Sequence, residues 1–139
     1  MRFWDSSAVI PLIIRQAGSA RADEWFTADR DIALWTLTPV EITSALWRQV
    51  REGGLGEDDA RYAEERAREL AAASRRVIDV EAVKALAQRL LRVHVLRAAD
   101  ALQLGAALVW SGGSPQGKTM HTLDDRLARA ARREGFDVP

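Results

Sequence analysis

Cysteine is absent from this chain and histidine occurs only twice, at His94 and His121. Disulfides are therefore excluded, and too few soft ligands remain for a zinc site, so a bound metal would be held by oxygen. Charge of one sign is lacking too: twenty basic residues face twenty acidic ones. With no bulk positive field, a nucleic-acid partner has to be met by a local basic patch. No apolar run approaches the roughly 18 to 20 residues that a membrane-spanning helix needs. The apolar start, MRFWDSSAVIPLIIRQ, contains Asp5 and Pro11 and lacks a convincing cleavage site, so the reading is a cytoplasmic protein without a membrane role. What is present is an ordinary globular balance over 139 residues, 47% hydrophobic and 29% charged. This predicts one domain, residues 1–139, with its own core.

Short apolar stretches alternate with helical patterns. Residues 2–5, IALWTL (32–37), RRVIDV (75–80), TMHTL (119–123) and a final FDVP read as strands, about five in all. Between them, Ser6 or Ser7 is a candidate cap for a first helix with Pro11 near its first turn, and Ser19 a candidate cap for a second. Thr38 and Pro39 open a third, and Gly53 stops it. AADALQLGAALVWSG is apolar almost all round and therefore predicted to be buried. Helices between strands imply an α/β fold with a mainly parallel sheet covered on both faces, its ligand site beyond the carboxyl ends of the strands.

GGSPQGKT, residues 112–119, matches the phosphate-loop pattern. That loop works only when a strand precedes it and a helix follows, so that backbone N–H groups and the helix dipole face the phosphates. Here a helix precedes and a strand follows, so Gly112 and Gly113 read as a helix stop, Pro115 as a turn residue and Lys118 as a solvated charge. No nucleotide cofactor is predicted.

Four acids stand near element junctions: Asp5, Glu41, Asp100 and Asp124, with Asp125 a rival for the last. Each has a plain structural explanation. Thr38-Pro39-Val40-Glu41 fits a capping box, Asp5 a turn, and Asp100 and Asp124 or Asp125 first helical turns favoured by the dipole. Jointly they raise a different possibility, because parallel strands open their carboxyl ends on one edge. Two unit charges about 4 Å apart repel by roughly 4 kcal/mol at an effective dielectric near 20, so converging acids call for protonation or a divalent cation. With oxygen donors the natural ions are Mg²⁺ or Mn²⁺, whose chemistry suggests phosphodiester cleavage.

FWDSSAVIPLI, TPVEITSALWR, LRAADALQLGAAL and HTLDDRLARAARREGF are the pieces by which the chain resembles PIN-domain ribonucleases, a resemblance that covers nearly its whole length. It is most similar to the VapC-type toxins of prokaryotic type II toxin-antitoxin pairs. The resemblance implies a PIN-like fold and a metal-dependent endoribonuclease in which Asp5, Glu41, Asp100 and Asp124 hold Mg²⁺ or Mn²⁺. It places Ser6 and Thr122 as supporting hydroxyls. It also implies an RNA substrate, a homodimer, and a cognate antitoxin that covers the early helices. A housekeeping RNA-processing nuclease and a catalytically silent PIN-like module are the alternatives.

Around that site, Arg48, Arg51, Arg92 and Arg97 are candidate phosphate contacts. Trp35 and Trp110 read as core, whereas Trp25, Phe26 and Tyr62 are candidates for a partner surface. His121 reads as a strand residue and not as a general base.

Overall fold

The computed structural model describes all 139 residues. The elements run β1 (Arg2–Trp4), α1 (Ser6–Ile13), α2 (Ser19–Ala28), β2 (Ile32–Trp35), α3 (Thr38–Arg51), α4 (Glu57–Ala73), β3 (Arg75–Val77), α5 (Val80–Val93), α6 (Ala98–Trp110), β4 (Met120–His121) and α7 (Asp125–Glu134). The strands form one sheet in the order β3-β2-β1-β4. Every pairing is parallel: Phe3 stands opposite Ala33 and Met120, and Trp35 opposite Val77.

Because successive side chains of a strand point to opposite faces, the sheet separates two cores. Phe3, Ala33, Trp35, Val77 and Met120 face a 19-residue cluster completed by α5, α6 and α7. Trp4, Ile32 and Leu34 face a 13-residue cluster completed by α1 to α4. This two-sided burial explains why β2 reads as an unbroken apolar run.

The sheet has four strands, not five. At FDVP the pairing shrinks to a single bridge between Thr119 and Asp137. The Val138 carbonyl is taken by the Arg132 guanidinium at 2.7 Å, and Pro139 has no N–H to extend a ladder. Other boundaries shift for local reasons. The strand expected over 75–80 ends at Val77, because the Asp79 side chain accepts the Ala82 N–H and starts α5. Asp5, not Ser6 or Ser7, caps α1, and Pro11 is buried within that helix instead of opening it. Ser19 caps nothing by its side chain: its hydroxyl donates to the Pro11 carbonyl at 2.8 Å and ties α2 to α1.

Around the phosphate-loop look-alike, the N–H groups of Gly112 and Gly113 close the end of α6 on the Val109 and Leu108 carbonyls. Both glycines have positive φ, and β4 follows. No helix opens behind the loop, so the geometry that cradles phosphates is missing. Lys118 lies over the Trp110 ring at 5.9 Å.

Gly105 sets the fit of α6 on α5. A Cβ there would stand 3.0 Å from the Val83 carbonyl oxygen and 3.3 Å from the Ala87 nitrogen, both backbone atoms that cannot swing away. Gly105→Ala is therefore expected to destabilise the protein by about 1–3 kcal/mol despite the better helix propensity of alanine, as overpacking of a close contact does. Urea unfolding measures it, and an unchanged or raised midpoint would show that the helices can part at no cost.

Candidate metal and phosphate site

Three of the four candidate acids sit where a strand hands over to a helix. Asp5 follows β1, Glu41 lies in the first turn of α3 after β2, and Asp124 follows β4 as the N-cap of α7. Asp100 arrives differently, from the connection between two helices, in the first turn of α6. All four nevertheless line one cleft of about 500 Å³, together with Ser6, Ser7, Arg48 and Arg97. Asp125 is exposed and does not line it.

Each carboxylate is held in place. Asp5 is 3% exposed, and one of its oxygens accepts the Ser7 hydroxyl at 2.8 Å and the Ala8 N–H at 3.3 Å. The Ser7 oxygen accepts the Leu123 N–H at 2.8 Å and lies 3.2 Å from the Thr122 hydroxyl. Thr122 in turn accepts the Asp124 N–H at 3.1 Å. Glu41 does not close a capping box. Leu37 is the cap of α3, and the glutamate accepts the Ser6 hydroxyl at 2.9 Å and the Gln103 amide at 3.0 Å. Asp100 and Asp124 do serve as caps, accepting the N–H groups of Arg97 and Leu127 respectively.

Burial and mutual proximity act on these groups in one direction. Burial pushes Asp5 up to about 7, against the Ser7 hydrogen bonds that favour its charged form, and the charge of Glu41 adds to the rise. Glu41 is raised by burial first and by Asp100 as well. Asp100 is raised by burial and by Asp124, with Arg97 and Arg126 pulling the other way. A cation in the cleft would reverse this logic by favouring ionised ligands.

As placed, no three acid or histidine side chains are close enough together to close on one ion unaided. The donor set still fits a hard cation. Mg²⁺ commonly takes one or two carboxylates, keeps several waters and shares the rest of its shell with phosphate oxygens, so it does not demand an all-protein cage.

The remaining expectations divide. Arg48 and Arg97 reach the cleft, whereas Arg51 and Arg92 are exposed in the last turns of α3 and α5 and do not line it. Trp35 is buried in the core and Trp110 packs against it. Trp25 is not available to a partner: it is buried and stacks on His121 with ring centroids 4.4 Å apart. Phe26 packs against the same core, and Tyr62 is exposed. His121 is fully buried between Trp4 and Trp25, and burial lowers it to about 4. It stays neutral and stands outside the cleft lining.

Two positions that bear on the site escaped the sequence reading, Ser7 and Gln103. Gln103 offered a signal, since it is a lone amide in a helix that is apolar on all sides beyond its first turn. Its amide nitrogen bonds Thr38 as well as Glu41.

Two proteins of Mycobacterium tuberculosis, Ribonuclease VapC45 and Ribonuclease VapC49, are each 32% identical to this chain over 137 residues, 98% of its length and 92% of theirs. The chain belongs to the VapC ribonuclease family. No family model matches it. Among solved structures, PAE2754 from Pyrobaculum aerophilum superposes with a TM-score of 0.63 at 22% identity, covering 99% of this chain and 87% of that one. FitAcB from Neisseria gonorrhoeae gives 0.66 at 18% identity, covering 99% and 96%. At those identities the structures speak for the fold, which is that of a PIN domain with a parallel sheet between helices.

Proposed function

We propose that this VapC-family chain is a single-domain, metal-dependent endoribonuclease and the toxin of a toxin-antitoxin pair. The observation that carries the reading is the single cleft in which four acids distant in sequence meet two arginines. Asp5, Glu41, Asp100 and Asp124 would hold Mg²⁺ or Mn²⁺. When bound, such an ion neutralises phosphate charge and activates water for in-line hydrolysis.

The chain's own side chains prepare for that chemistry. Ser6 and Gln103 take opposite oxygens of Glu41 and fix its plane. Ser7 orients Asp5 and, through Thr122 and Leu123, locks it to the strand end that carries Asp124. Arg48 and Arg97 supply guanidinium groups suited to phosphate oxygens. Cysteine is absent and His121 stands buried outside the cleft, so neither supplies a nucleophile there. A homodimer and a covering antitoxin belong to the same reading through the family.

The lack of three carboxylates poised on one point favours the rival reading, a silent PIN-like module. Thermal melting with and without Mn²⁺ separates the two. An ion that binds only the folded chain stabilises it by about 2.7 kcal/mol at a hundredfold excess over Kd. We expect a Mn²⁺-dependent rise in Tm, and RNA cleavage that EDTA stops and that leaves 5′-phosphate ends. Absence of both effects would establish the silent module.

A further inference from the structure

Beside the acid cleft lies a second concavity, of about 320 Å³, lined by His94, Val95, Arg126, Arg129, Ala130 and Arg133. The arginines recur at intervals of three and four along α7, so they share one face of that helix. Arg126 and Arg133 are seven residues apart, which spaces them by about 10 Å along the axis.

No ion pair within the chain neutralises this row. Glu134, at the end of the same helix, is already engaged: Arg89 donates to its two oxygens at 3.2 and 2.6 Å, and the His94 ring nitrogen lies 2.6 Å from it. Arg132 is turned away onto the Val138 carbonyl. Three exposed guanidinium groups without an ion-pair partner thus line one groove, an arrangement that favours an anionic ligand.

The groove and the cleft are built from adjoining segments of the chain. Asp124 caps the helix whose first turn carries Arg126, and the charge of Arg126 is felt at Asp100. The connection from His94 to Arg97 supplies Val95 to one concavity and Arg97 to the other.

We propose that the face of α7 bearing Arg126, Arg129 and Arg133 is a backbone-phosphate subsite that holds single-stranded RNA flanking the bond cut in the neighbouring cleft. The inference rests on the ribonuclease reading and extends it. A polyanionic strand whose reacting phosphate lies among Arg48 and Arg97 must leave the cleft over its edge, and Arg126, in the first turn of the helix that Asp124 caps, is the end of the row nearest Asp124. Guanidinium forks match phosphate oxygens pairwise and read no base, so the subsite would add affinity and register without sequence preference.

The test uses binding, not turnover. Fluorescence anisotropy of a labelled single-stranded RNA of mixed sequence is followed in EDTA, over roughly 50 to 200 mM salt, in the Asp100→Asn background. Removing two phosphate contacts with Arg129→Ala and Arg133→Ala together is expected to lower the slope of log K against log salt by about 1.4. The pair Arg75→Ala and Arg76→Ala changes net charge equally on β3, at the opposite edge of the sheet, and should leave that slope unaltered. Equal losses from both pairs would reduce the effect to bulk charge and overturn the subsite. So would an unchanged slope in the α7 pair, or an α7 pair that keeps RNA affinity but loses binding of an acidic peptide. If the background protein binds no RNA while the wild type cleaves none, the ribonuclease reading itself fails, an outcome separate from these.

Discussion

Asp100→Asn is expected to slow RNA cleavage by at least about 100-fold while the Tm of the metal-free protein stays level or rises. Loss of an outer partner of a metal ligand already costs roughly 10- to 100-fold in affinity or activity, and loss of a direct ligand, the role proposed for Asp100, should cost no less. Folding should survive, because an asparagine oxygen can still accept the Arg97 N–H that Asp100 accepts now. The raised carboxyl of Asp100, pushed up by burial and by Asp124, also shows that its negative charge is unwelcome when no cation is present. Single-turnover cleavage of a 5′-labelled RNA, paired with a thermal melt, reads both halves. Cleavage at the wild-type rate in a folded Asp100→Asn protein would remove the cleft from the mechanism.

The second large effect concerns stability against pH in the metal-free protein. Asp5 has its folded pKa raised from 3.8 to about 7. Protonation therefore favours the folded state, and the favourable contribution is complete below about 4 and lost as pH climbs toward 7. A shift of about three units corresponds to a ceiling of about 4 kcal/mol. His121 works in the opposite sense. Its pKa falls from 6.5 to about 4, so its contribution is present above 6.5 and lost as pH drops through 4.

Between those limits the two groups offset each other in the wild type. Asp5→Asn removes one partner of this balance. The variant should be more stable than wild type at pH 8, and its stability should rise from pH 4 to 6.5 where the wild type is comparatively flat. Urea denaturation at a series of pH values checks it. Parallel profiles for the two proteins would mean that Asp5 titrates in the ordinary carboxylate range.

Much of the architecture was legible in the chain because burial on both faces leaves a plain mark: short apolar runs such as IALW between helical patterns. The meeting of Asp5, Glu41 and Asp124 was legible for a related reason, since parallel strands open together at one edge, whereas Asp100 comes from a helix–helix connection to which that rule does not apply. Their partners were not. Glu41 sits where a capping box would use it, yet Ser6 and Gln103 claim it from 35 and 62 residues away. No local pattern encodes such a choice.

Trp25 reads as a surface residue because α2 is polar on average, yet it is one of the three residues, with Ser19 and Ala22, that this helix buries. The arginine row of α7 looked like an ordinary charged helix. Its significance appears only once Arg89 and His94, 45 and 40 residues upstream, have taken up Glu134.

The bond network around Ser7 joins residues 115 and 116 positions apart, and β1 pairs with β4. During synthesis, therefore, the first strand waits beside β2 with an open flank until β4 has emerged. Asp5 and Asp124 cannot be brought to one edge before Met120 and His121 have docked. Until β4 is free to dock on β1 a nascent chain has no finished cleft, so the order of synthesis itself withholds the site from RNA while the elements before β4 are already folding.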